Sequence, residues 1–198
     1  MDVKLIRITE EPEEIIAMCY GICTNKAVPV ENIPRWIKLG HLTPVESASA
    51  TFLIEGISRA CLAQITRHRL TSFSVKSQRY IDMAAQPQIV PETIAQSGLL
   101  SEYAKHLGSA QTLYQALIDK GVPKEDARMA LPIATTTELF MTANFRQLRH
   151  MIKLRTHPSS QWEIREVFNK ILAVMIDAAP NVFSDLSIER QKGENEYE

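Results

Sequence analysis

Two long stretches of this chain contain no acidic residue. None lies between Glu55 and Asp82, and none between Glu138 and Glu163, although both gaps hold several arginines. The chain as a whole is nearly neutral, at −1 from 22 basic and 23 acidic residues, so its total charge does not suit a protein that coats nucleic acid or an anionic membrane. Glycine is scarce: the seven glycines are scattered and form neither a GxGxxG nor a Walker loop, which excludes the glycine-built phosphate cradles and, with them, a Rossmann fold. Cysteine is rarer still. Cys19, Cys23 and Cys61 make an odd set without CxxC or zinc-ribbon spacing, which argues against a disulfide framework and fits a reduced, cytoplasmic compartment. The five histidines include no HExxH pair, and no metal is expected. The opening MDVKLIRITEEPEE has no apolar core of a signal peptide, and no run reaches the roughly eighteen apolar residues of a membrane span, so a soluble protein is expected.

At 198 residues the chain suits a single domain over 1–198, with a charged tail that frays from about residue 187. VKLIRIT (3–9) alternates like a half-buried strand, and Pro12 opens a helix on which Ile15, Cys19, Ile22 and Cys23 follow at helical spacing, so Cys19 and Cys23 are expected in the core. A short helix around Trp36 should stop at Gly40, leaving GHLTP as a turn. ATFLIEGI (50–57) reads as a strand and RACLAQIT (59–66) as a helix. LTSFSVK reads as a loop and SQRYIDM as extended chain, with Ser77 and Arg79 on one face. Further helices are expected over Glu102–Lys120 and Glu125–Arg128. Asn144 with Gln147 and Ser160 with Glu163 resemble capping boxes, each followed by an apolar stripe. Helix dominates, and the strands do not alternate with helices as βαβ units. The expected fold is α+β, helix-rich with a small, mainly antiparallel sheet.

The basic islands are where chemistry is expected. RHRLTSFSVKSQRY (67–80) holds three arginines, a lysine, a histidine and three serines with no acid. Arginine presents a planar fork to phosphate and stays charged, so Arg67, Arg69, Arg79, Arg128 and Arg155 are candidate contacts to phosphate or nucleobase. His68 stands between two cations, which disfavours both its protonated form and a metal. Ser77 has no GxSxG elbow or evident base and reads as a hydrogen-bond donor.

The arrangement Arg67-His68-Arg69, seven residues, then Ser77 resembles the signature of the flavin-dependent thymidylate synthases, and Gln78-Arg79-Tyr80 extends it. GHLTPVE (40–46) is similar to that family's GHxTPxE segment. Gln64, ARMALP (127–132), TANFRQL (142–148), Leu154-Arg155 and QWEIR (161–165) follow in the family's order. The resemblance implies methylation of dUMP at C5 to dTMP, with methylenetetrahydrofolate as carbon donor and NADPH as reductant through FAD. It implies that Gln64, Arg67, Ser77, Gln78 and Arg79 hold dUMP, joined by Arg128 and Arg155 from a neighbouring subunit, with Arg155 catalytic. His41, Thr43, Arg67, His68, Arg69, Asn144, Arg146 and His150 fall where the family contacts FAD. It further implies a homotetramer with shared sites, acting on small molecules rather than on nucleic acid or membrane.

The chain departs from the family pattern at three places: Ser74-Val75 stands where many relatives have asparagine and glutamate, Ser47 where some have histidine, and Ser159 where some have a flavin-contacting histidine. Two other readings remain open. One is a catalytically degenerate nucleotide-binding relative on the same fold. The other is a small RNA-binding protein using the RHR loop, with Phe73 and Tyr80 for stacking.

Overall fold

In the computed structural model the structure describes residues 1–195, with side chains described through Ser187. The strands are β1 (Asp2–Ile8), β2 (Ser49–Ser58), β3 (Ser72–Val75) and β4 (Thr136–Asn144). They form one antiparallel sheet in the order β1-β2-β4-β3. The helices are α1 (Pro12–Thr24), α2 (Ile33–Lys38), α3 (Arg59–Ile65), α4 (Glu92–Ala95), α5 (Leu100–Asp119), α6 (Lys124–Ala127), α7 (Phe145–Arg155), α8 (Trp162–Ala178) and α9 (Pro180–Asn195). This is the helix-rich α+β class expected from the sequence.

The chain divides into two compact units. The first comprises residues 1–54, 65–74 and 140 onward; the second comprises 55–64 and 75–139. In the first unit, β2 buries Ala50, Phe52 and Ile54 and β4 buries Met141 and Ala143, the period-two pattern of strands with one covered face. Helix α8 buries Ile164, Val167, Phe168, Ile171, Leu172 and Met175, as its sequence stripe predicts, and packs against α7 and α9. Leu148, Met151 and Ile152 of α7 are likewise buried. In the second unit, Met83, Tyr114 and Ala127 form a small core.

Several expectations need correction. Cys23 is exposed and Cys19 only partly buried; the buried face of α1 is Ile16, Ala17 and Tyr20. Tyr20 sets that rotation, because its ring stacks on Trp36 at 5.5 Å and its hydroxyl donates to the His41 carbonyl at 2.6 Å. LTSFSVK contains strand β3 rather than only loop, since Ser72–Val75 completes its backbone bonding at the edge of the sheet. SQRY is a turn, not extended chain. The Ile81 N–H donates to the Ser77 carbonyl at 3.2 Å and the Arg79 N–H donates to Ser77 Oγ at 3.2 Å, so Ser77 and Arg79 meet through a local turn. Strand β4 is an addition to the sequence reading. Helix α8 is capped by Gln161, whose side chain accepts from the N–H groups of Glu163 and Ile164. Ser160 instead donates to the Leu154 carbonyl at 3.0 Å. The side chains of the expected frayed tail lie mostly outside the described residues, while helix backbone is described to Asn195.

Candidate active site

Helix α3 ends at Ile65, and the next turn closes with the His68 N–H donating to the Ile65 carbonyl at 3.2 Å. The turn splits the RHR tripeptide: Arg67 and Arg69 are exposed, whereas His68 is 6% exposed. The His68 ring lies 6.3 Å from that of Phe168 and 6.1 Å from that of His150. Arg155, in the last turn of α7, donates from Nε to His68 Nε2 at 2.9 Å. An arginine can only donate, so Nε2 is the acceptor and the neutral ring carries its proton on Nδ1.

Burial, followed by the Arg155 charge and then His150, pushes the His68 imidazole from 6.5 down to about 4. The ring therefore stays an acceptor at any physiological pH. The unfolded chain takes up this proton near 6.5 and the folded chain only near 4. The contribution of His68 is thus complete above pH 6.5 and is lost as pH falls to about 4, on the order of 3 kcal/mol in all. Denaturant unfolding at pH 7.0 and 4.5 checks this: the wild type should lose more stability between the two pH values than a His68→Phe variant, and equal losses would refute the assignment.

Helix α7 carries the second basic island. Asn144 caps it, accepting from the Gln147 N–H at 2.8 Å, as the sequence predicts. Arg146, His150 and Lys153 are all exposed on it. Arg146 pairs with Glu46 at 2.5 Å; Glu46 is the acidic member of GHLTPVE, a partner that the motif itself signals. Arg149 belongs to the scaffold instead: it forks onto Asp185 with two 2.6 Å bonds and also donates to the Val182 carbonyl, tying α7 to α9. His41 is exposed in the turn after Gly40, whose φ of 84° favours glycine. Its N–H donates to the Trp36 carbonyl at 3.1 Å and its ring meets the Trp36 edge at 5.4 Å. Burial pushes the Tyr20 phenol up to about 12, so Tyr20 remains protonated and keeps its bond to the His41 carbonyl. Thr43 is exposed just beyond.

The second unit holds Gln64, Ser77, Gln78, Arg79 and Arg128. Arg79 Nε donates to Glu125 at 2.8 Å, and Arg128 Nε donates to the backbone carbonyl of Glu125 at 2.9 Å. One turn of α6 therefore braces two of the predicted phosphate arginines. Arg59, inside the acid-free stretch between Glu55 and Asp82 but not among the residues expected at dUMP or FAD, donates from Nη2 to the Lys76 carbonyl at 2.9 Å while its Nε is buried without a partner. Burial, and then the Arg128 charge, lower its pKa. Its place in an acid-free run was the available signal. Ser159 bonds its own neighbour, with its hydroxyl 2.7 Å from His157 Nδ1.

All eight residues expected at FAD, namely His41, Thr43, Arg67, His68, Arg69, Asn144, Arg146 and His150, lie in the first unit. Arg67, Arg69 and Arg146 are the donors a pyrophosphate requires, and the exposed imidazoles of His41 and His150 offer flat faces to a ring system. The donor set thus fits a flavin dinucleotide. The residues expected at dUMP are split: Arg67 and Arg155 belong to the first unit and the other five to the second.

A helix-rich α+β fold whose exposed guanidinium groups accompany a buried neutral imidazole bonded to an arginine defines a nucleotide-handling enzyme without a βαβ dinucleotide site. The model of the thymidylate synthase complementing protein family matches residues 4–181, and the chain belongs to that family. It is 34% identical over 200 residues to a flavin-dependent thymidylate synthase of Geobacter sulfurreducens, covering 93% of this chain and 86% of the relative. A flavin-dependent thymidylate synthase of Haloarcula marismortui is 31% identical, covering 92% of this chain and 94% of that one. The crystal structure of the UMP/dUMP methylase PolB from Streptomyces cacaoi, bound with 5-Br dUMP, superposes with a TM-score of 0.81 over 94% of each chain at 23% identity, a likeness of fold.

Proposed function

We infer that this protein is a flavin-dependent thymidylate synthase that replaces the C5 hydrogen of dUMP with a methyl group. The observation that carries this is the continuous family match over residues 4–181, which includes the RHR signature and the Arg155 that bonds its histidine. Methylenetetrahydrofolate is the carbon donor and NADPH the reductant. FAD, when bound, supplies the hydride that converts the transferred carbon to methyl. His41, Thr43, Arg67, His68, Arg69, Asn144, Arg146 and His150 would hold it.

The chain's own residues do the rest. Gln64, Arg67, Ser77, Gln78, Arg79 and Arg128 bind the nucleotide, with the arginines on its phosphate. Arg155 sits at the pyrimidine, where a guanidinium favours loss of the N3 proton and makes C5 more nucleophilic. No cysteine is needed for attack. The two units are proposed to act as one synthase domain, in a homotetramer whose sites take Arg128 and Arg155 from a neighbouring subunit. The three free cysteines support a cytoplasmic location. Among the described residues no helix is long and apolar enough to cross a membrane.

The test is tritium release from C5-labelled dUMP with methylenetetrahydrofolate and NADPH, with and without FAD. Release that depends on FAD is the expected result. Absence of release from folded protein that still binds dUMP would instead favour a non-catalytic relative. Ser77→Ala should raise the KM for dUMP by about tenfold, the loss of one polar contact, with a smaller change in kcat. Steady-state kinetics check this, and a kcat loss larger than the KM change would give Ser77 a chemical role.

A further inference from the structure

Helix α1 buries a hydroxyl and exposes a hydrophobe. Tyr20 is 1% exposed, whereas the apolar Ile22, two positions on, is 82% exposed. A buried phenol is costly unless its hydroxyl is bonded. This one donates to the His41 carbonyl at 2.6 Å, while its ring stacks on that of Trp36 at 5.5 Å. The other backbone group of His41, its N–H, donates to the Trp36 carbonyl at 3.1 Å. Helix α1 therefore holds His41 by its carbonyl, and α2 holds it by its N–H. Gly40, at a φ of 84°, makes the turn that this double hold requires. The His41 imidazole stays exposed, 5.4 Å from the Trp36 ring.

We propose that Tyr20 is a positioning residue for the flavin site: its buried hydroxyl fixes the His41 backbone against α2, so that the His41 imidazole and Thr43 are presented in one arrangement before FAD arrives. The inference rests on the assignment of His41 and Thr43 to FAD made above. A loop already held in its bound conformation gives up little freedom when the ligand binds. Tyr20 is too buried to meet the flavin itself, so its effect runs through His41. The rotation of α1 that leaves Ile22 in water is then the rotation that brings the phenol to the His41 carbonyl.

The experiment compares Tyr20→Phe, His41→Ala and the double variant with the wild type. Ile16→Val, on the same buried face of α1, is the control for packing alone. In flavin titrations of the full-length protein freed of FAD, Tyr20→Phe is expected to weaken FAD about tenfold, the worth of one hydrogen bond, and Ile16→Val by no more than about twofold. The kcat of Tyr20→Phe at saturating FAD and its KM for dUMP should stay within about threefold of wild type, because bound flavin restores the arrangement. In a His41→Ala background, Tyr20→Phe should weaken FAD by less than about threefold further. A readout without flavin is exchange of the His41 amide hydrogen in the ligand-free protein, which should speed about tenfold in Tyr20→Phe and not in Ile16→Val. Unchanged FAD affinity in Tyr20→Phe, equal weakening by Ile16→Val, or a full tenfold loss on top of His41→Ala would overturn the proposal. A wild type that binds no FAD would remove the flavin reading of the site, and this inference with it, whatever the amide exchange shows.

Discussion

Arg155→Ala is expected to bind FAD like the wild type and to lose about a thousandfold in kcat. The size follows from what is removed. A preorganised cation beside a charge that develops during reaction is worth about 10²–10³ in rate, because the site does not have to reorganise to supply it. FAD binding should survive, since Arg155 is not among the eight residues assigned to the flavin. Flavin absorbance titration and single-turnover methylation separate the two effects. Arg155→Lys should recover little, because a point ammonium cannot both donate to His68 and present a planar fork to a pyrimidine. Turnover near wild type in Arg155→Ala would sink the assignment.

The second large effect is on stability. Phe168 is fully buried in α8, with its ring 6.3 Å from that of His68. Phe168→Ala should cost about 3–5 kcal/mol, the sum of lost transfer energy and the cavity left behind, and lower the thermal midpoint by roughly 10 °C. The same cavity gives water a route to the imidazole. Since burial is the first cause of the low His68 pKa, the ring in Phe168→Ala should titrate closer to 6.5 and release Arg155 at mildly acidic pH. Calorimetry and the histidine Cε1–H resonance report the two consequences. A stability loss without any change in titration would separate Phe168 from the site.

The parts of the fold that were legible in the sequence are those where one physical signal dominates. In α8 every apolar residue needed for the core recurs at helical spacing, and all of them are buried. The Asn144 cap was legible because a short polar side chain before an apolar run has few better uses than the first free N–H groups. Helix α1 was not, because its apolar residues lie on more than one face. Ile15, Cys19 and Ile22 share helical spacing just as Ile16 and Tyr20 do, and only the docking of Tyr20 on Trp36 decides between them. Strand β3 is four residues of serine-rich chain, stabilised by a sheet partner far away in sequence, which no local window contains.

The candidate site divides in the same way. Sequence alone determined the chemical inventory: two acid-free islands, the RHR and serine spacing, and the absence of glycine loops, metal motifs and a nucleophilic cysteine in any motif. Those are properties of residue type and order, and they suffice to name an anion-binding, flavin-using chemistry through the family that shares them. The tertiary structure decided which cations serve which purpose. Arg149 is consumed by Asp185, Arg146 answers Glu46, and Arg79 leans on Glu125. His68, flanked by arginines in sequence, meets a third one across 87 residues. Burial and hydrogen bonding between distant segments set the protonation and aim of a side chain, and neither is written in its neighbours along the chain.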